Sequence, residues 1–285
     1  MSEIAYLNGQ FTPIDEARVP IDDRGYQFGD GVYEVVRTYG GRLWALDRHL
    51  LRLQRSMDAI RITGLSLEEV GRRLTEANER AGYSEALIYF QVTRGVAPRL
   101  HTFGGDQEPT FLITVRRQHP IPESSYANGV AVITLPENRW ERRDIKSINL
   151  LPNVLAKQRA VEQGVFEAIF VEGGEVNEGS SASLLIVREG MVWAPPLTFR
   201  ALHGITRQLV VEIAKDIGIP VQESFFSVTE MLSANEVFLT GTGTEVLPVT
   251  TADGQPIADG RTGPVTKRLI ELYRKRIAAK DDAVR

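Results

Sequence analysis

The sequence predicts a mixed α/β fold, α+β in the way it groups its elements, divided into two domains. Three observations lead there. Hairpin signals outnumber regular βαβ alternation, beginning with Asn8-Gly9 between two short apolar runs. Apolar residues recur at helical period in several stretches, most clearly as Leu50, Leu53, Met57 and Ile60. The polar, proline-bearing run 116–125 breaks the pattern between two structured halves, so a small N-terminal α/β domain over 1–120 and a larger C-terminal domain over 121–285 are expected.

Taken in order, residues 4–12 read as two strands around the Asn-Gly turn, and 21–31 as a glycine-punctuated loop. Residues 32–39 form a strand that turns at Gly40-Gly41 and returns through 42–44. A helix covers 46–62. A second starts at Ser66, whose spacing to Glu69 is that of a capping box, and runs to about Ala81. Strands follow at Ala86–Thr93 and 110–115. In the second half, strands are expected at 129–135, Glu167–Glu172, 183–187 and 237–240, with helices at 150–164, 205–217 and 266–278. The run Asn177-Glu178-Gly179-Ser180-Ser181 is a loop on this reading.

Composition narrows the function. A formal net charge of -4 gives no electrostatic reason to expect nucleic acid or an anionic membrane as partner. No cysteine is present, which excludes disulfides, thiolate metal sites and a cysteine nucleophile. His49, His101, His119 and His203 lack metal-ligand spacing, so no metal is expected. No apolar run approaches membrane-spanning length and no signal-like N-terminus is seen, so the expected location is cytoplasmic.

Lysine is scarce, with six against 27 arginines, and none precedes Lys146. Lys146 lies between Ile145 and Ile148, just ahead of a helical pattern, whereas the other five sit in amphipathic helices or a polar tail. A lysine where a strand meets a helix is partly desolvated, which favours a nucleophilic amine able to condense with a carbonyl cofactor. An ion pair with Asp144 or Glu141 is the plainer alternative. Three further loops have the character of anion cradles: Glu178-Gly179-Ser180-Ser181, Gly241-Thr242-Gly243-Thr244, and Gly204-Ile205-Thr206 at a helix start. Each taken alone is an ordinary turn or cap. Arg99 and His101, two apart in an extended loop, point the same way and could face one small anion.

Together these stretches carry a resemblance. Asp23-Arg24-Gly25-Tyr26-Gln27-Phe28-Gly29-Asp30-Gly31-Val32-Tyr33-Glu34, His49-x-x-Arg52-Leu53, Phe90-Gln91-Val92-Thr93-Arg94-Gly95, Asp144-Ile145-Lys146-Ser147-Ile148-Asn149, Asn177-Glu178-Gly179-Ser180-Ser181 and Gly204-Ile205-Thr206-Arg207 resemble the fold-type IV pyridoxal-phosphate enzymes, in order and spacing, from about residue 20 to 250. That group includes branched-chain aminotransferases, D-amino-acid aminotransferases and aminodeoxychorismate lyases. Pro98-Arg99-Leu100-His101 is similar to the Arg-x-His element of the D-alanine type.

The resemblance implies a two-domain enzyme with pyridoxal 5'-phosphate in the interdomain cleft, acting as a homodimer. It implies a Schiff base on Lys146, Glu178 on the pyridine nitrogen, Leu202 against the ring, and Arg52, Ile205, Thr206 and Thr242 on the phosphate. Tyr33, Arg99 and His101 would clamp the substrate carboxylate. The reaction implied is ping-pong transamination between a D-amino acid such as D-alanine and a 2-oxo acid such as 2-oxoglutarate. The alternatives are a branched-chain or primary-amine aminotransferase and a lyase of the aminodeoxychorismate type. Ala182, Gly241, Gly243 and His203 depart from the D-alanine pattern and bear on substrate breadth.

Overall fold

The computed structural model describes residues 3–104 and 107–283. The chain divides into two compact units: the first runs to His119 and takes in Ile145–Asn149, Asp282 and Ala283, and the second comprises Pro120–Asp144 and Leu150–Asp281.

The first unit opens with β1 (Ile4–Leu7) and β2 (Gln10–Pro13), paired antiparallel around Asn8-Gly9 as the turn signal requires. Asp23 then caps α1 (Arg24–Phe28), a short helix inside the stretch expected to be loop. Next come β3 (Gly31–Tyr39), β4 (Arg42–Leu43), α2 (Leu46–Ala59), α3 (Leu67–Ala81), β5 (Ala86–Thr93) and β6 (Thr110–Arg117). The six strands form one sheet in the order β2-β1-β6-β5-β3-β4. Its core joins Val32, Val36, Ile88, Phe90 and Ile113 to Leu53 and Met57 of α2 and Leu74 of α3, which is where the helical stripe is used. Only half of the capping box of α3 forms: the Ser66 side chain accepts from the Glu69 amide, but the Glu69 carboxylate accepts from Arg72 and Arg73. A nearby guanidinium is a better donor than the cap's own N–H.

Residues 145–149 belong to the first unit, not to the half in which the sequence places them, because of backbone pairing. The start of β3 has β5 on one side only. The other edge takes an isolated antiparallel bridge from Val32 to Ser147, with Tyr33 N donating to Lys146 O at 3.0 Å and Ile148 N to Gly31 O at 3.1 Å. An edge that would otherwise expose N–H and C=O groups is thereby satisfied. Asp282 joins the same unit by accepting from the Ala45 amide at 2.7 Å.

The second unit contains α4 (Glu123–Asn128), β7 (Val130–Pro136), α5 (Leu151–Glu162), β8 (Glu167–Glu172), β9 (Glu175–Gly179), β10 (Ser183–Arg188), β11 (Met191–Ala194), α6 (Ile205–Asp216), β12 (Val221–Glu223), α7 (Val228–Leu232), β13 (Glu236–Gly241), β14 (Glu245–Ala252), β15 (Gln255–Pro256) and α8 (Pro264–Ala279). Its nine-stranded sheet runs β12-β11-β10-β13-β14-β7-β8-β9, with β15 on β14. One core gathers Leu184, Ile186, Val237, Leu239 and Leu247 with Phe226 and Met231; another packs Ala156 and Ala160 of α5 on Ile133, Ala168 and Phe170. Alanines let the helix lie close to the strands. β9 reaches Gly179, so Asn177 and Glu178 lie on a strand where the sequence reading has a loop. The Val171–Val176 and Ile169–Gly179 pairings to β8 hold them there.

Gly95 opens the loop that carries Arg99 and His101. It sits at φ +97°, and a Cβ there would lie 2.0 Å from the Glu108 carbonyl oxygen. Backbone on backbone cannot yield cheaply. Gly95→Ala is expected to cost at least about 2 kcal/mol in chemical denaturation; a change within about 0.5 kcal/mol would contradict this packing.

Candidate active site

In the first unit, Lys146 is half-buried, with Nζ 4.3 Å from the Tyr33 ring centroid. Its backbone N–H donates to Ser56 Oγ on α2 at 3.2 Å. Among the described residues it has no salt-bridge partner. Asp144 is held instead by both nitrogens of a fork from Arg142, at 2.9 Å each. The ion-pair alternative for Lys146 therefore does not form with Asp144. Tyr33 and Tyr89 stack with ring centroids 5.5 Å apart, and the Tyr89 hydroxyl donates to Gln91 Oε1 at 2.6 Å. Burial, and secondarily Tyr33, push the Tyr89 phenol above its ordinary range. Period-two spacing on β5 could have pointed to Tyr89, because Gln91 is the cross-strand partner of Tyr33.

Arg52 is engaged with a residue to which the sequence reading assigned no role. Glu34, fully buried on β3, accepts from Arg52 Nε at 2.7 Å and Nη2 at 2.8 Å, and its Oε2 meets His49 Nδ1 at 2.7 Å. Burial opposes the charge of Glu34, but the Arg52 guanidinium and then His49 outweigh it and hold the carboxyl well below its usual range. Burial also disfavours the His49 imidazolium; Glu34 pulls the other way, while the charges of Arg52 and Lys146 reinforce the depression. His49 and Arg52, one helical turn apart, thus anchor α2 to β3 through one carboxylate.

Arg99 and His101 meet at one ring. The Arg99 guanidinium lies 4.9 Å from the Phe28 centroid and the His101 ring 5.5 Å from it. Both side chains are exposed. Arg24, ion-paired to Asp30 at 2.8 Å, fixes the loop between them by donating to Leu100 O at 2.6 Å. Tyr33 is engaged with Tyr89 and Lys146 and makes no hydrogen bond or ring contact with either.

In the second unit, Glu178 is nearly buried. Its Oε1 accepts from Arg139 Nη1 at 2.7 Å and its Oε2 from the Leu202 N–H at 3.1 Å, so Glu178 and Leu202 are brought together directly. The turn after Glu178 wraps a buried carboxylate: Glu167 accepts from Ser181 Oγ at 2.7 Å, from Ser181 N at 3.1 Å, and from Ser180 Oγ at short range. Ile205 and Thr206 open α6 and are buried, and the N-cap Gly204 supplies no side-chain acceptor for the first amides. A Cβ at Gly204 would lie 2.7 Å from Ser183 Oγ; one at Gly241 would lie 2.8 Å from Thr244 Oγ1 and 3.7 Å from Ser181 O. The turns at 180–183, 204–206 and 241–244 therefore converge, because β10 and β13 are neighbours with Ser183 opposite Thr240. The hydroxyls of Thr240 and Thr244 are buried there with no protein partner.

Uncapped helix amides, orphaned hydroxyls and small residues at close approach fit a phosphate group. A carboxylate in the same unit fits a ring nitrogen that carries a proton. The cofactor implied by the resemblance suits this donor set. Among the described residues no cluster of His, Asp or Glu could hold a metal ion, and no helix is long and apolar enough to cross a membrane.

The amino-transferase class IV family matches residues 31–252. The chain is 42% identical to the D-alanine aminotransferase of Bacillus licheniformis, over 92% of this chain and 93% of that one. Among solved structures, the branched-chain amino acid aminotransferase of Escherichia coli superposes with a TM-score of 0.90 at 25% identity, covering 96% of this chain and 94% of that one. A T.th. branched-chain amino acid aminotransferase with pyridoxamine 5'-phosphate gives 0.87 at 29% identity, covering 98% and 95%.

The depressed His49 value has a measurable sign. The unfolded chain binds the imidazole proton near pH 6.5 and the folded chain only at lower pH, so stability falls as pH drops between the two. In wild type the slope from pH 7 to 5 should exceed that of His49→Gln by up to about 1.4 kcal/mol per pH unit. Equal slopes in denaturant titrations at each pH would refute the assignment.

Proposed function

The chain belongs to the amino-transferase class IV family, and we propose that it transfers the amino group of a D-amino acid, D-alanine foremost, to a 2-oxo acid such as 2-oxoglutarate. The observation that carries this reading is the 42% identity with a D-alanine aminotransferase over nearly the whole length of both chains. The loop holding Arg99 and His101 around one aromatic ring supports it. A second reading, transamination of branched-chain L-amino acids, is favoured by the solved structures of that name.

Bound pyridoxal phosphate supplies an electron sink that makes the substrate Cα–H acidic. The protein's own groups do the rest. Lys146, set over the Tyr33 ring and free of a carboxylate partner, takes the proton from Cα. Glu178 would hold a proton at the ring nitrogen, and Leu202, whose backbone N–H donates to Glu178, would pack on the ring. The amides of Ile205 and Thr206 and the hydroxyl of Thr242 bind the phosphate, as does Arg52, whose fork is oriented by Glu34. Arg99, His101 and Tyr33 hold the substrate carboxylate and so select the face of Cα that meets Lys146. We extend the reading to a homodimer. The outer face of α5 exposes Leu151, Val154 and Leu155 at 59% or more, an apolar stripe that a second copy would cover.

The test is the visible absorbance of the protein loaded with pyridoxal phosphate. The band is expected to disappear with D-alanine and to return with 2-oxoglutarate. A response to L-leucine but not D-alanine would transfer the protein to the second reading, and the absence of any visible band in wild type would refute both. Lys146→Ala should abolish turnover. Arg99→Ala should raise KM for D-alanine at least about tenfold with cofactor affinity unchanged, and unchanged D-alanine kinetics would remove Arg99 from the carboxylate site.

A further inference from the structure

We propose that Arg139 is the positioning residue for Glu178, fixing the orientation of the carboxylate that serves the cofactor's ring nitrogen. The inference rests on the role of Glu178 proposed above.

Arg139 is gripped on one side by Glu137. Its Nε donates to Glu137 Oε1 at 2.9 Å, its Nη2 to Glu137 Oε2 at 2.6 Å, and its backbone N–H to the same carboxylate at 3.0 Å. Phe170 covers the guanidinium face, with the ring centroid 4.2 Å away. Glu137 is itself fixed, accepting from Asn177 Nδ2 at 3.2 Å and pairing with Arg143 at 3.1 Å. The fork can turn nowhere, and its remaining Nη1 is delivered to Glu178 Oε1 at 2.7 Å. The side chains of Arg139, Glu137 and Glu178 are 8%, 2% and 7% exposed, so little water competes for these bonds.

The chemistry follows from that enclosure. With Oε2 on the Leu202 N–H and Oε1 on Arg139, the carboxylate cannot rotate about its last bond, and one orientation is offered to a ring nitrogen. Burial penalises the anion. The fixed guanidinium, 2.7 Å from Oε1, offsets that penalty. Lysine could not replace it, because a point charge cannot serve Glu137 bidentately and Glu178 at once. The competing account is that Arg139 is only a buried ion pair joining the end of β7 to β9.

The two accounts differ in whether the ring nitrogen matters. Apo-protein of the full chain would be titrated with pyridoxal 5'-phosphate and with 1-deazapyridoxal 5'-phosphate, in which carbon replaces that nitrogen, and both dissociation constants read from absorbance. Arg139→Met is expected to bind the natural cofactor about ten- to hundredfold more weakly, the range of a lost charge-assisted hydrogen bond, and the deaza analogue within twofold of wild type. Should Arg139→Met fail to fold, Arg139→Lys is the second variant, and the preference for the natural cofactor should fall at least about fivefold. Equal weakening towards both ligands, or an unchanged preference, would overturn the proposal. Glu178→Gln separates the two levels. If it loses the preference while the Arg139 variants keep it, only the present inference fails. If it too keeps the preference, the parent reading of Glu178 fails.

Discussion

The pairing of Lys146 with Tyr33 through the backbone is the constraint that places the proposed catalytic lysine. A lysine in a connecting segment would ordinarily sweep a large volume on its four-carbon stem. Here the segment is an extra rung on β3, with the Tyr33 N–H on the Lys146 carbonyl and the Ser56 hydroxyl on the Lys146 N–H. Both backbone polar groups are used, so the Cα is placed by a sheet and a helix together. The amine then has a defined neighbour in the Tyr33 ring.

Arginine explains why the amine is left free. Several enclosed carboxylates near the proposed machinery are met by a guanidinium: Glu34 by Arg52, Asp30 by Arg24 and Arg94, Glu178 and Glu137 by Arg139. Guanidinium forks satisfy a carboxylate with two parallel bonds and do not deprotonate. Buried charges are thus neutralised by groups that cannot act as bases. That these acids are already committed is in keeping with the proposal that Lys146 moves the proton.

In the second unit, topology rather than any single contact assembles the proposed anion site. The turns at 180–183 and 241–244 lie at the same end of neighbouring antiparallel strands, and α6 begins beside them. Glycine at 204 and 241 leaves the Ser183 and Thr244 hydroxyls in place, where a Cβ would make them turn aside. The buried Glu167 holds the serine turn in shape from beneath.

The sequence by itself determined the elements whose period is strong and local. The Asn8-Gly9 hairpin, the strands Ala86–Thr93 and Glu167–Glu172, and the helices carrying long apolar stripes follow from side-chain spacing; the striped helix expected over 46–62 ends three residues earlier, at Ala59. It also marked Lys146, Glu178 and the three glycine-rich turns, because reactive and conformationally special residues are rare enough to stand out. What it did not contain was partnership. Glu34 reaches Arg52 across 18 positions and Arg139 reaches Glu178 across 39. No local pattern records such pairs, since their energy exists only once burial has removed water. The same holds for the membership of residues 145–149, which a free strand edge decided, and for Asn177-Glu178, drawn from a glycine-rich loop into β9 by the neighbouring strand. Periodicity is a property of one segment, whereas charge pairing and edge completion are properties of two, and only the folded chain brings the second one near.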